Sequence, residues 1–205
     1  MRNSNRADAN LTWAHAEVAA GERRGRLTSE PMTLWLTGLS GSGKSTLAFR
    51  LEKALLADDT AAFVLDGDNI RCGLNGDLGF SPEDRAENIR RTAEVARLMN
   101  EAGVTVVVSL ISPHAEDRSR AKAIIGDERF REIYLNTPLA VCEARDPKGL
   151  YRKARAGQIP AFTGISAPYQ APHNPDLELD TSGLSVDECV ARVLAMLKGQ
   201  AGGRS

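Results

Sequence analysis

Hydrophobic positions along this chain of 205 residues change period in a way that separates strands from helices. Thr33–Thr37 (TLWLT) is a short apolar run; past a glycine-rich turn, Leu47, Leu51 and Leu55 recur at i, i+4 and i+8, the spacing of one helix face. Ala61–Leu65 reads as a second buried strand. Ser81-Pro82-Glu83-Asp84 has the form of a helix start, with a hydroxyl at the N-cap, proline at N1 and an acid at N3. The helix it opens carries Ile89, Ala93, Ala96 and Met99 on one face and ends before Gly103. Val104–Ile111 is almost wholly apolar and β-branched, the pattern of a central parallel strand covered on both faces. A helix over about 115–125, a strand at Glu132–Leu135 and a helix opened by Thr137-Pro138 follow, then a basic loop region to about residue 175 and a short strand at Leu177–Leu179. Ser185-x-x-Glu188 caps a final helix with Val186, Val190, Val193 and Leu197 on its buried side.

Strands alternating with helices, without an internal repeat, predict an α/β fold: a three-layer sandwich around a mostly parallel five-stranded sheet. In such sheets ligands bind beyond the carboxyl ends of the strands, so residues just after a strand are the candidates for chemistry. Residues 1–31, weakly periodic and containing Trp13, read as an N-terminal extension, 32–198 as the domain, and the glycine-rich 199–205 as a flexible tail.

Composition narrows the function classes. Apolar residues make up 42% and charged ones 26%, the mix of a soluble globular chain. Lys and Arg number 26 against 27 Asp and Glu, so the overall balance attracts neither a nucleic acid nor an anionic membrane. The longest apolar run is far below the roughly 20 residues that span a bilayer, and no secretory signal opens the chain. Cys72, Cys142 and Cys189 are widely separated, without zinc spacing, as reduced thiols in a cytoplasmic protein would be.

Gly38-Leu39-Ser40-Gly41-Ser42-Gly43-Lys44-Ser45 fits G-x-x-x-x-G-K-[ST], a string expected by chance in only about one chain in a hundred of this length. It lies between a strand and a helix, the context a phosphate-binding loop needs, and predicts a P-loop NTPase or kinase fold. Backbone N–H groups from Gly38 through Thr46 would cradle the phosphates of ATP; Lys44 would lie along the β- and γ-phosphates, and the Ser45 hydroxyl would ligate Mg²⁺. No Asn is followed by Lys, so the guanine-reading motif of a GTPase is missing.

A small-molecule kinase also needs acids, cations for an anionic acceptor, and a cover that excludes water. Asp66 and Asp68, in Asp66-Gly67-Asp68-Asn69, follow the second strand, at alternate positions of a segment read as extended. One carboxylate would order the Mg²⁺ shell and the other would take the proton of the attacking hydroxyl. Ser45 and Asp66 are the metal candidates, although the residues alone leave the division between the two acids open. The cations are Arg71 and Arg85, with Asn88 one turn beyond Arg85 on the same helix face. Arg145–Gly157 holds Arg145, Lys148, Arg152, Lys153 and Arg155 against the single acid Asp146, a positive segment suited to a lid over about 145–160.

These residues resemble the adenylyl-sulfate kinase family. The likeness runs from about Asn10 to Leu197 and rests on LWLTGLSGSGKST (Leu34–Thr46), LDGDNIRCGLN (Leu65–Asn75), LGFSPEDRAEN (Leu78–Asn88), Ile111-Ser112-Pro113, DPKGLYRKARAG (Asp146–Gly157) and FTGI (Phe162–Ile165). Even Asn10-Leu11-Thr12-Trp13 is similar to the lead-in of bacterial members. The resemblance implies transfer of the ATP γ-phosphoryl group to the ribose 3′-hydroxyl of adenylyl sulfate, giving 3′-phosphoadenylyl sulfate. It assigns Lys44, Asp66, Asp68 and Ser112 to catalysis. Asp68, Asn69, Arg71, Arg85, Asn88, Ile111, Ser112 and Lys148 would hold the acceptor, and Phe80 and Phe162 would sandwich its adenine. Ser112 follows the central strand and is expected to face the cleft; family members carry a phosphoserine there, with His114 the nearest base to activate it. Direct in-line transfer explains the other residues without that intermediate. Two positions depart from the family: Ala115 stands where many bacterial members have an arginine, so one anion contact is either missing or supplied by Arg118, and Arg152 stands where lysine is common. The resemblance further implies a homodimer and, since 205 residues leave no room for a fused sulfurylase, ATP sulfurylase as a separate partner chain.

Overall fold

In the computed structural model, which describes residues 30–201, strand β1 (Thr33–Thr37) passes through the glycine-rich turn into helix α1 (Lys44–Ala57). Then come β2 (Ala62–Asp66), α2 (Gly67–Cys72), α3 (Pro82–Glu101), β3 (Thr105–Ser109), α4 (Ala115–Ile125), β4 (Phe130–Leu135), α5 (Leu139–Arg145), α6 (Leu150–Arg155), β5 (Leu177–Leu179) and α7 (Val186–Ala201). The five strands are all parallel in the order β2-β3-β1-β4-β5. The glycine-rich turn therefore leaves the central strand, where the strand order reverses, and that is where open parallel sheets bind ligands.

Alternation along the central strands feeds two cores. Leu34 and Leu36 of β1, Val107 of β3 and Ile133 and Leu135 of β4 pack against Leu47, Leu51 and Leu55 of α1 and Cys189 and Val193 of α7. Trp35, Val106, Val108 and Phe130 point the other way, onto Ile89, Ala93 and Ala96 of α3 and Ala121 and Ile125 of α4. All five residues of β1 are buried, as in a strand covered on both faces. The three-layer α/β sandwich is thus the fold expected.

The helix starts are built as their sequences predict. The Ser81 hydroxyl accepts from Asp84 N at 3.1 Å. Ser185 and Glu188 form a reciprocal box, with Glu188 N donating to Ser185 Oγ at 3.2 Å and Ser185 N donating to Glu188 Oε2 at 2.8 Å. α7 continues through Ala201, so the first residues of the expected tail are helical. Residues 1–29, including Trp13, and residues 202–205 lie outside the described part of the chain.

Three elements differ from the sequence reading. Residues 67–72 form a helix rather than an extended segment, because Asp66 is an N-cap whose carboxylate accepts from Asp68 N at 3.1 Å. The apolar run after β3 leaves the sheet at Ser109, and Ser112 has a positive φ of 39°. The basic segment holds a helix, α6, that starts after Gly149, and the Asp146 carboxylate satisfies its first turn, accepting from Tyr151 N at 3.0 Å and Arg152 N at 3.1 Å.

Candidate active site

The turn after β1 is shaped by close backbone approach. Gly41 has φ +75°, and a Cβ there would lie 2.8 Å from the Cys142 carbonyl oxygen, so only glycine fits. Gly43, also left-handed, immediately precedes α1 and leaves the helix N-terminus facing the loop. Lys44 is buried, and its ammonium donates to Gly38 O at 2.9 Å, Leu39 O at 2.6 Å and Ser42 Oγ at 3.4 Å. Burial lowers its pKa to about 8, and the charge of Lys148 pushes the same way while Asp66 and Asp68 oppose it. These three charged neighbours come from β2, α2 and the lid segment, so all converge on the phosphate loop.

The Ser45 hydroxyl donates to Asp66 Oδ2 at 2.7 Å and lies 3.3 Å from Ser109 Oγ. One hydroxyl beside one carboxylate at the mouth of a phosphate loop suits Mg²⁺, which takes few protein oxygens and completes its shell with water and substrate phosphate. Among the described residues no group of three or more His, Cys, Asp or Glu side chains could hold a metal on its own.

Asp68 stands one residue into α2, exposed, and accepts a hydrogen bond from Lys148 Nζ across the cleft. Arg71, one turn further along α2, is within electrostatic reach of Asp68. Arg71 donates to Gly79 O at 2.7 Å and lies over the Phe80 ring, 4.4 Å from its centroid. Its pKa is lowered by burial and then by the Arg85 charge, with Asp84 and Asp68 opposing. The two guanidiniums are close enough to repel each other, a repulsion that an anion between them would relieve. Arg85 donates to Phe80 O at 2.9 Å, Thr163 Oγ1 at 3.1 Å and Ala161 O at 3.0 Å. It thereby ties the Phe80 and Phe162 segments together. Three of its five N–H groups are in use, so two remain for a ligand.

Phe162 is buried, edge-on to Tyr151 with ring centroids 5.0 Å apart, and the Tyr151 hydroxyl donates to Ser40 O at 2.9 Å. Phe80 is 69% exposed. The two aromatics therefore have different characters: one is an open face, the other part of the small core under the lid. Asn69 is exposed on α2; Ile111 is half-buried and gives its carbonyl to Thr37 Oγ1 at 2.8 Å. Asn88 is buried. A separate cleft of about 580 Å³ borders the loop at Leu39 and is lined by residues 164–169; none of the acids or arginines line it.

Several expectations are corrected. Ser112 does not face the cleft. It is 2% exposed; its hydroxyl accepts from Trp35 Nε1 at 3.1 Å and donates to Thr37 Oγ1 at 3.0 Å. The left-handed backbone at Ser112 turns the side chain down onto β1, where a hydroxyl is needed to satisfy a buried indole N–H. Arg118 supplies no anion contact: it is buried, and its three nitrogens donate to Glu132 Oε1 (2.6 Å), Ser112 O (2.8 Å) and Gln170 O (2.8 Å). The lid cations are also not one pool. Arg155 pairs with Glu143 at 2.9 Å, and Arg145 donates to Thr181 Oγ1 at 2.9 Å, Thr181 O at 2.6 Å and Gly41 O at 3.3 Å. Thr181, which follows β5 and donates to Ser42 O at 2.9 Å, went unnoticed in the sequence. Its only signal was its place just after a strand.

The model of the adenylylsulphate kinase family matches residues 30–180. The chain belongs to the adenylylsulphate kinase family. A probable adenylyl-sulfate kinase of Halalkalibacterium halodurans is 52% identical over 95% of this chain and 96% of its own length. The adenylyl-sulfate kinase of Staphylococcus epidermidis is 50% identical over 92% and 94%. A solved structure of a Mycobacterium tuberculosis APS kinase in complex with AMPPNP and APS is 53% identical, covers 82% of this chain and 98% of that one, and superposes with a TM-score of 0.80. Members of this family are kinases, with ATP as phosphoryl donor.

Proposed function

We propose that this chain transfers the γ-phosphoryl group of ATP to the ribose 3′-hydroxyl of adenylyl sulfate, yielding ADP and 3′-phosphoadenylyl sulfate. The observation that carries the reading is the position of Asp68. Its carboxylate accepts from Lys148, and it is within electrostatic reach of both the buried Lys44 of the phosphate loop and Arg71, whose own neighbour is Arg85. A carboxylate so placed lies where a donor phosphate and an anionic acceptor would meet. The relatives named adenylyl-sulfate kinase, half identical in sequence along nearly all of their length, support the same acceptor.

In this reading Lys44 leaves the carbonyls of Gly38 and Leu39 to bind the β- and γ-phosphates, with the backbone amides from Gly38 to Thr46 around them. Ser45 and Asp66 would hold Mg²⁺, which when bound neutralises charge on the donor phosphates. Asp66 suits that part because it is buried against Ser45, whereas Asp68 is exposed toward the acceptor side. Asp68 accepts the proton of the 3′-hydroxyl as its oxygen bonds to the γ-phosphorus and the bond from that phosphorus to the β-phosphate oxygen breaks, releasing ADP. Lys148 orients Asp68 and brings a positive charge from the lid. Arg71 and the two spare N–H groups of Arg85, with Asn69, Asn88 and Ile111, take the phosphosulfate and ribose. Phe80 offers its open ring to the adenine, and Phe162 backs the opposite wall. Ser112 supports β1 and takes no phosphoryl group, since both sides of its hydroxyl bond buried partners.

The remaining proposals are coarser. No helix among the described residues is long and apolar enough to cross a membrane. A cytoplasmic homodimer, fed by a separate ATP sulfurylase, fits the reading. An APS kinase of Thiobacillus denitrificans, 30% identical over 83% of this chain and 30% of that chain, is hexameric. The function is tested by measuring ADP release with a panel of acceptors: adenylyl sulfate, gluconate, shikimate and nucleosides. Adenylyl sulfate alone should stimulate release, and stimulation by another acceptor instead would replace the reading with a different small-molecule kinase.

A further inference from the structure

Helices α2 and α3 supply most of the acceptor side, and the loop joining them carries one residue to which no role has been given. Asn75 is fully buried, although its neighbours Leu74 and Gly76 are exposed. Its backbone N–H donates to Ile70 O at 2.9 Å, and its carbonyl accepts from Leu78 N at 3.1 Å, so the loop is anchored to α2. Its side-chain NH₂ reaches α3, donating to Asn88 Oδ1 at 3.0 Å and more weakly to Asn88 O at 3.5 Å. The other end of the same amide, Asn75 Oδ1, has no partner. Among the described residues it is the one buried side-chain polar atom left in that condition. A lone buried carbonyl oxygen is unfavourable and calls for an explanation.

Turning the amide over would not relieve it, since Oδ1 would then face two oxygens of Asn88 and repel both. The orientation is thus dictated by what Asn75 donates. The consequence falls on Asn88. With its oxygen committed to Asn75, its NH₂ must point the opposite way, and that NH₂ has no protein partner among the described residues. Asn88 is three residues beyond Arg85, on the same face of α3.

We infer that Asn75 is a positioning residue: it locks the Asn88 amide so that a neutral NH₂ donor, beside the Arg85 guanidinium, faces an oxygen of the acceptor. The orphaned oxygen of Asn75 is what that lock leaves behind. This assignment rests on the adenylyl-sulfate reading and adds to it a specificity contact two layers deep. Arginines alone would bind any polyanion, whereas a fixed neutral donor discriminates by geometry.

The test is a double-mutant cycle with Asn75→Ala, Asn88→Ala and the pair, read as KM for adenylyl sulfate, kcat, and Kd for ATP in the absence of acceptor. Each single change should raise KM for adenylyl sulfate by about tenfold, with the ATP Kd within about twofold of wild type. In the Asn88→Ala background, Asn75→Ala should then add nothing further. Additive losses in KM, or a parallel loss of ATP binding, would make Asn75 a merely structural residue and overturn the assignment. Asn75→Asp, nearly isosteric, carries the test if the alanine variant does not fold. A carboxylate there accepts rather than donates, turns the Asn88 amide around and should raise KM more than Asn88→Ala does. An unchanged KM, or failure of both Asn75 variants to fold, would also overturn it. A wild-type enzyme unresponsive to adenylyl sulfate would instead remove the functional reading on which the assignment depends.

Discussion

The Ser45 hydroxyl donates to Asp66 Oδ2 at 2.7 Å, joining the first turn of α1 to the last residue of β2. The phosphate loop and the first of the two acids are therefore one unit before any ligand arrives. Asp68, two residues on, is held by Lys148 from the lid. In the proposed reading, that difference in partners would divide the work of the two carboxylates. Asp66→Asn should weaken the binding of Mg²⁺, seen as a raised Mg²⁺ concentration for half-maximal rate. Asp68→Asn should leave that concentration unchanged and lower kcat by about 10²–10⁴-fold, the loss expected for a general base. Equal effects on both quantities from both variants would refute the division.

Lys44 should set the alkaline limb of nucleotide binding. Its pKa of about 8 in the free protein reflects burial, which disfavours the charged form. Phosphate binds the ammonium form, so below pH 8 the lysine is already protonated and contributes no pH dependence. Above pH 8 it must take up a proton on binding, and ATP affinity should fall by up to about tenfold per pH unit. Calorimetry at constant ionic strength measures this directly. In Lys44→Ala the affinity should be lower throughout and that alkaline fall absent.

Ser112→Ala should keep most of the turnover, and a loss beyond about a thousandfold would restore a covalent phosphoserine route. Its cost appears in stability instead. The substitution strands the buried Trp35 N–H, which the serine oxygen satisfies at 3.1 Å, at about 1–3 kcal/mol. Thermal unfolding should show a lowered Tm with kcat nearly unchanged.

The lid contact is tested by Lys148→Ala. Removing a charge-assisted partner of Asp68 should reduce kcat/KM for adenylyl sulfate by about 10- to 100-fold, while the Kd for ATP changes little. Arg155→Ala should be close to silent in both, because that guanidinium is paired with Glu143 away from Asp68. If Arg155→Ala matched Lys148→Ala, the lid would act by general charge rather than through one contact.

Much of this was legible in the chain because the signals are local and physical. The short apolar run TLWLT, the helical spacing of Leu47, Leu51 and Leu55, and the capping residues Ser81 and Ser185 each specify an element on their own. The phosphate loop likewise needs nothing from elsewhere to be recognised. What stayed hidden depends on pairings across long sequence separations. The direction of the Ser112 side chain follows from one left-handed residue and the need of Trp35, 77 residues earlier. The commitment of Arg145 to Thr181, and of Arg118 to Glu132, turns two charges that read as ligand cations into structural ties. A helix of six residues such as α2 or α6 has too few apolar positions to show a period, and its start is betrayed only by an aspartate whose carboxylate accepts from N–H groups of its first turn.

The account turns on one transfer, which phosphorus NMR can watch. Protein incubated with ATP, Mg²⁺ and adenylyl sulfate should produce ADP and a new phosphomonoester resonance on the ribose 3′-oxygen in equal amounts, with the sulfate retained. ADP appearing at the same rate with and without adenylyl sulfate, and no 3′-phosphate formed, would contradict it.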